Sequence, residues 1–371
     1  NRLQKLHPKE IDLSLDRIQN LFKKLDNPQN NLKCISIIGT NGKYSTIQAI
    51  RAILKEANIN CNIYTSPHIQ KINERFVYND KEISDDNLAK LLTEVEEIND
   101  GEPITYFEIL TASYFYYAKN FDNINLIESG LFHRFDATNI IKENLASIVT
   151  AIGLDHLDWL PKNKRTIEKI VYEKTSCLLN SKIVIAKQSS AETLNLIKKN
   201  ISENSSKKII FNEQYSCSIN ENGFIYYEDE FGGLKLPKPN LAGEFQIDNV
   251  ATAISTLRNL NLEIENKHIR IGITKIKSIA RLQEIKNGKL KDLCKNNKIF
   301  VDGSHNPLGA KVLNKYLEEL NCNIHIILGM MANKDHNKYM NCFKNISSLT
   351  TINIPNQPNA IKVIDLKNKL N

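Results

Sequence analysis

The chain has 371 residues, 41% apolar and 25% charged, with a formal net charge of +7. This is the balance of an ordinary globular protein of about two domains at ~100–200 residues each. Its lysines fall in Asn/Lys-rich stretches such as 198–208 and not in the arginine-rich, aromatic-interleaved blocks of a nucleic-acid binder.

Seven dispersed cysteines without a C-x-x-C pair argue against a disulfide framework and a cysteine zinc site, and point to a reducing, cytoplasmic setting. No apolar run nears the ~20 residues of a membrane span. The first residues given, NRLQKLHPKE, do not read as a secretory signal.

Residues 1–33 predict an amphipathic helix over 11–25, with Leu13, Ile18, Leu21 and Phe22 apolar, stopped at Asp26-Asn27-Pro28. The stretch ISIIGTNGKYSTIQAIRAILKEA at 35–57 then organises the rest. Residues 34–38 suit a buried parallel strand, and from Thr46 the apolar Ile47, Ile50, Ile53, Leu54 and Ala57 recur at helical spacing. Between them lie Gly39, Thr40, Asn41, Gly42 and Lys43.

Strand, glycine loop and helix make a phosphate cradle: helix-start N–H groups face an anion and glycine lets the backbone approach. Lys43 would lie over the β- and γ-phosphates of ATP, and the Ser45 or Thr46 hydroxyl would hold Mg²⁺. The strict P-loop pattern is broken, because Ile37 stands at the first glycine position and Tyr44 separates Lys43 from Ser45. A structural turn with a solvated lysine is the alternative.

Further strands are expected at 60–64, 124–127, 147–152, 182–186 and 208–211, with helices at 85–97 and 105–118 between them and a loop at 65–76. Alternation of this kind predicts an α/β fold, a doubly wound, mostly parallel sheet binding ligands at the carboxyl ends of its strands. Residues 214–240 turn aromatic and turn-rich, suggesting antiparallel β structure, and a helix follows at 248–257. A boundary near 278–281 separates domain 1–279 from a smaller Rossmann-like α/β domain, 280–371, with strands at 298–301, 323–328 and 350–354 and a helix at 310–320.

Glu128, His156 and Lys174 each follow a strand or lie on the next element, so the sheet would bring them toward the cradle. A carboxylate there commonly holds Mg²⁺. Singly, each also has a plainer use, as a helix cap, a satisfied core histidine or a partner for Glu173.

Ten motifs in one order carry more: GTNGKYST, YTSPHIQKINERF, FEILTA, ESGLFHRFDATN, SIVTAIGLDH, EK at 173–174, LAGEFQIDN, ARLQ, DGSHNP and GMMANKD. In these the chain resembles the folylpolyglutamate synthase/dihydrofolate synthase family of the Mur ligase superfamily over almost its whole length.

The resemblance implies a P-loop domain of the Mur-ligase central type and an ATP-dependent ligase adding L-glutamate to dihydropteroate or a reduced folate through an acyl phosphate. It further implies that Lys43 contacts the phosphates, that Ser45 and Glu128 bind one Mg²⁺, and that Glu128, His156 and a carbamylated Lys174 bind a second. Asn249 and Arg281 would contact ATP, and Asp302 and His305 would close the nucleotide site. Thr105, Phe107 and Asp136 would face the pterin, although Phe107 is equally explained as helix core. A monomer acting on small molecules, away from nucleic acid and membrane, is the simplest expectation.

Against the family pattern, glycines are replaced by Tyr44, Phe132, His133 and Ala280, an Ala-Gly pair by Thr175-Ser176, and a histidine by Phe245. The C-terminal domain also looks shortened. Left-handed glycine positions resist side chains, so a catalytically impaired remnant that keeps the fold is the alternative reading.

Overall fold

The computed structural model describes residues 14–370. The start of the expected first helix, 11–13, lies outside the described residues, and the helix appears as α1, Asp16–Lys24, burying Ile18, Leu21 and Phe22.

The six strands expected before residue 214, with two more, form one eight-stranded sheet. In chain order they are β1 Lys33–Ile38, β2 Cys61–Tyr64, β3 Phe76–Tyr78, β4 Lys81–Glu82, β5 Ile124–Glu128, β6 Ala146–Val149, β7 Lys182–Ile185 and β8 Lys208–Ile210. Their spatial order is β4-β3-β2-β5-β1-β6-β7-β8. Six strands run parallel, and β3 and β4 add an antiparallel edge.

Parallel strands are covered on both faces, so they read as unbroken apolar runs. In β1, Cys34 to Ile38 are all buried. The β3–β4 hairpin was not anticipated beyond the 65–76 loop. Its signal is Asn79-Asp80, both at left-handed φ (49° and 63°), the two-residue turn that matches strand twist.

Helices cover both faces: α2 Lys43–Glu56, α3 Asp85–Asn99, α4 Tyr106–Ala118, α5 Ile167–Thr175, α6 Ala191–Asn200, α7 Phe245–Arg258 and α8 Asn266–Thr274. Ile35 and Ile37 of β1 join a core with Ile50, Ile53, Ile254 and Ile269 of α2, α7 and α8. Cys34, one residue out of phase, faces the opposite core with Phe22, Leu91 and Phe115 of α1, α3 and α4, as the two-residue strand period requires. Helices α5, α6 and α8 were not among the expected elements; in α8, Ile269, Ile271 and Ile273 alternate along the sequence as in a strand, although only Ile269 and Ile273 are buried. Four of these helices are capped in the same way: Ser84, Thr105, Thr166 and Ser190 each accept from the third residue of the helix they open.

Residues 214–240 hold an antiparallel sheet of β9 Tyr215–Ile219, β10 Ile225–Asp229 and β11 Leu234–Leu236. Beyond it, β12 Gln283–Glu284 pairs with β13 Phe300–Val301, and α9 is Lys289–Leu293. There follow α10 Pro307–Glu319, β14 Ile324–Leu328, α11 His336–Met340, β15 Ile346–Thr351 and α12 Val363–Leu370, with β14 and β15 parallel. This region has its own core, including Ala310, Leu328, Met330, Tyr339 and Leu366. Strand β15 begins four residues before the expected start because its serines and threonines lie on half-exposed faces.

The arrangement aims the carboxyl ends of the strands at one place. β1 is flanked by β5 and β6, where the winding reverses and opens a crevice. The register sets Ile37 beside Glu128 and Ile38 beside Val149.

Candidate active site

β1 ends at Ile38, and the chain turns through Gly39, Thr40, Asn41 and Gly42 before α2 begins at Lys43. Gly42 has φ 93°, and a Cβ there would lie 2.5 Å from Asn249 Oδ1. Only glycine fits a backbone so placed. The loop is tied down where Thr40 and Asn41 N–H donate to Ala151 O at 3.0 and 3.1 Å. First-turn N–H groups of a helix lack intrahelical acceptors, and the helix dipole adds partial positive charge. Ser45 is buried in the same turn, and Thr46 Oγ1 is buried without a hydrogen-bond partner. This glycine cradle, with Ser45 of the first turn lining the cavity, fits a bound polyphosphate.

Two amines converge beneath it. Lys43 Nζ donates to Gly39 O at 3.1 Å and Thr40 O at 3.3 Å, and lies 3.8 Å from Glu128 Oε1. Lys174, carried by α5, donates to Gly39 O at 3.0 Å and Leu131 O at 2.9 Å. Burial first, and then the nearby Lys43 charge, lower the Lys174 pKa to about 7. The buried Glu128 carboxyl is pushed up by desolvation against the pull of Lys43, and accepts Ser66 N–H at 3.2 Å.

His156 holds a left-handed φ of 55°, and burial drives its pKa down to about 3. Its imidazole is therefore neutral, the form that ligates metals. Among the described residues no three His, Cys, Asp or Glu side chains gather as a metal site. Ser45, Glu128 and His156 line one cavity, and the unmodified Lys174 amine beneath it is a donor.

At the far side, Thr105 and Glu108 cap α4 reciprocally, Glu108 N–H donating to Thr105 Oγ1 at 3.2 Å and Thr105 N–H to Glu108 Oε2 at 2.7 Å. The Phe107 ring stacks 6.2 Å from Tyr64 and lines the cavity. Asp136 accepts from the N–H groups of Gly130, Leu131 and Thr138, each at 3.0 Å, and from Thr138 Oγ1 at 2.6 Å. That carboxylate thus holds the shape of the 129–138 loop.

Across the cavity Asp302 accepts from Leu282 N and Ser304 N at 2.9 and 2.8 Å. His305 reaches back to Asp155, Nε2 lying 3.1 Å from Oδ2. Asn306 Nδ2 donates to the same oxygen at 3.1 Å, and Lys334 Nζ to Asp155 Oδ1 at 2.7 Å. Burial would raise this carboxyl, but the His305 hydrogen bond and the surrounding cationic groups outweigh it and hold the pKa far below the usual range. Sequence reasoning singled out His156 and His305 and missed the carboxylate between them. Its only signal was adjacency to His156 in GLDH.

The expected backbone strain is corrected at most positions. Tyr44, Phe132, His133, Thr175, Ser176 and Phe245 all avoid left-handed φ, and Ala280 alone of the replaced positions has it, at 51°. Tyr44 is helical and Phe245 opens α7. The buried Phe132 ring meets His156 edge-on at 6.4 Å and lies 5.6 Å from Lys174 Nζ. The bulky residues occupy space and leave the backbone unstrained.

One cavity of about 1090 Å³ connects these parts, from Thr105 and Phe107, past Lys43 and Glu128, to Asn249 and His305.

No family model matches the sequence. The chain is 28% identical to the dihydrofolate synthase/folylpolyglutamate synthase of Bacillus subtilis over 355 residues, covering 90% of this chain and 79% of the relative. It is 29% identical to that of Haemophilus influenzae over 356 residues, covering 90% and 77%. Among solved structures, Escherichia coli FolC in complex with DHPP and ADP superposes with a TM-score of 0.87 at 26% identity, covering 99% of this chain and 85% of FolC. The Yersinia pestis bifunctional enzyme complexed with AMPPNP and Mn ion gives 0.86 at 25%, covering 100% and 86%. In sequence and in fold, the chain is a homologue of the folylpolyglutamate synthase/dihydrofolate synthases.

Proposed function

We propose that the chain is an ATP-dependent ligase joining the amine of L-glutamate to the carboxylate of dihydropteroate or a folylpolyglutamate. The observation that carries this reading is the single cavity linking an anion cradle, an aromatic recess and the loops of the C-terminal region. Residues 1–279 would bind ATP and the folate-type acceptor, and 280–371 would present glutamate.

In this reading Gly39, Thr40, Asn41, Gly42 and Thr46 enclose the phosphates with backbone and hydroxyl donors, and Lys43 neutralises them. Asn249, beside Gly42, and Arg281 complete the nucleotide site. Ser45 and Glu128 would hold one Mg²⁺; Glu128, His156 and Lys174 would hold a second. When bound, Mg²⁺ supplies charge neutralisation at the transferring phosphoryl group.

Lys174 suits carbamylation, since a buried amine near neutrality has the free lone pair that attacks CO₂, releasing one proton and leaving an anionic oxygen ligand. Phe107 offers a face to the pterin, Thr105 fixes the helix that carries it, and Asp136 shapes the floor. Asp302 and His305 bring the C-terminal loops over the site, excluding the water that would hydrolyse an acyl phosphate. A small-molecule enzyme of this kind is expected to work as a cytoplasmic monomer.

The test is a mass-spectrometric turnover assay with ATP, Mg²⁺, glutamate and bicarbonate, offering dihydropteroate and tetrahydrofolate separately. The reading predicts glutamylated product matched by ADP. A folded chain yielding neither would overturn it.

A further inference from the structure

We propose that Tyr44 is a positioning residue whose ring seats the Arg281 guanidinium over the phosphate cradle. Tyr44 occupies the first turn of α2 with a partly buried ring that lines the cavity. The guanidinium carbon of Arg281 lies 5.6 Å from the ring centroid, inside the ~6 Å range of a cation–π contact.

The rest of Arg281 is constrained from the other side. It leaves a bend between Ala280 (φ 51°) and Leu282 (φ 47°). Leu282 N–H donates to Asp302 Oδ2 at 2.9 Å, Gly303 N–H to Ala280 O at 2.9 Å, and Arg281 Nη1 to Ala280 O at 2.8 Å. A Cβ on Gly303 would lie 2.9 Å from Arg281 Nη1, so residue 303 leaves room for the guanidinium without pushing it.

Tyr44 therefore supplies the cradle-side support. Arg281 and Tyr44 line the same cavity as Gly42, Lys43 and Glu128, which places the cation over the cradle. A bulky residue after the cradle lysine thus becomes a means of holding a cation from the C-terminal region where anionic oxygens would bind. The effect on nucleotide affinity rests on the ligase reading; the seat itself does not.

The test uses the full chain labelled with [¹⁵N]arginine. The Arg281 Nε–Hε signal, assigned by its loss in Arg281→Met, is expected to be ring-shifted in the wild type and in Tyr44→Phe, and to lose that shift in Tyr44→Leu. Binding of a non-hydrolysable ATP analogue with Mg²⁺ should weaken about tenfold in Tyr44→Leu and change less than about twofold in Tyr44→Phe. In the Arg281→Met background Tyr44→Leu should add less than about twofold, since the two side chains act as a pair.

An unshifted wild-type signal, or a Tyr44→Leu loss that persists at full size without Arg281, would overturn the seat. Circular dichroism of each variant separates misfolding from these outcomes. A shifted wild-type signal that disappears in Tyr44→Leu, in a chain that binds no nucleotide, would uphold the seat and overturn the ligase reading.

Discussion

On the cradle side, Lys43 and Lys174 are fixed by backbone carbonyls and Glu128 by a backbone N–H. On the opposing side, His305, Asn306 and Lys334 meet the carboxylate of Asp155, which belongs to the cradle side, and Asn306 also pairs with Asn41. Burial follows the same division. β1 is closed on both faces, whereas Ile327 of β14 is 70% exposed. Backbone anchoring in a packed sheet preorganises charge whatever the rest of the molecule does. Across the cavity the joining contacts run from side chain to side chain, so one substitution at Asp155 reaches several of them at once.

The largest expected effect breaks the cradle side. Lys174→Ala should lower turnover by about 10²–10³-fold, the scale of removing a preorganised electrostatic group, with partial rescue by a short added carboxylate. Undiminished turnover would remove Lys174 from the proposed metal site. Since the amine titrates near 7, carbamate measured with ¹³C-bicarbonate should decline as pH falls through 7.

Asp155→Ala addresses the other side. It leaves the largely buried Lys334 without its counter-ion and His305 without its hydrogen-bond partner, and breaking a buried ion pair typically costs about 3–5 kcal/mol. The glutamate KM should rise at least about tenfold while nucleotide affinity stays within about threefold, and small-angle scattering should show a more open chain. Equal losses for both ligands would mean that Asp155 supports the cradle as well.

The buried His133 sharpens the contrast by pH. Burial holds it at about 4, below the ordinary 6.5. The unfolded chain therefore binds more protons below pH 6.5, so stability is complete above 6.5 and is lost progressively toward 4. For His133 alone the loss is about 3 kcal/mol. His133→Asn should flatten the dependence of the thermal midpoint between pH 6.5 and 4, and an unchanged slope would contradict the assignment.

The smallest effect is Ser84→Ala, which removes the α3 cap. It should lower stability by about 1 kcal/mol in denaturant titration and leave turnover unaltered.

The parallel strands and the cradle were legible because burial on both faces writes apolar runs, and a backbone anion site writes glycines. Asp155 was not, since a carboxylate that joins distant loops has no local period. The consequences of Tyr44 and Phe132 were misjudged for a related reason. A glycine in a motif can mark either a left-handed backbone or merely vacant space, and sequence alone does not separate the two. Here Gly42 is the first kind, while Tyr44 stands on an ordinary helical backbone. The β3–β4 turn was readable in retrospect from Asn79-Asp80, which was passed over because its strands are so short.

The most direct test of the chemistry follows oxygen. An acceptor labelled with ¹⁸O in its carboxylate is incubated with the chain, ATP, Mg²⁺, bicarbonate and glutamate, and the released phosphate is analysed by mass spectrometry. Attack of the carboxylate on the γ-phosphorus, followed by the amine displacing phosphate from the acyl carbon, transfers one labelled oxygen to each phosphate released. The account predicts that transfer in step with the amide product. Phosphate without label, formed alongside product, would contradict an acyl phosphate and with it the role assigned to the cradle.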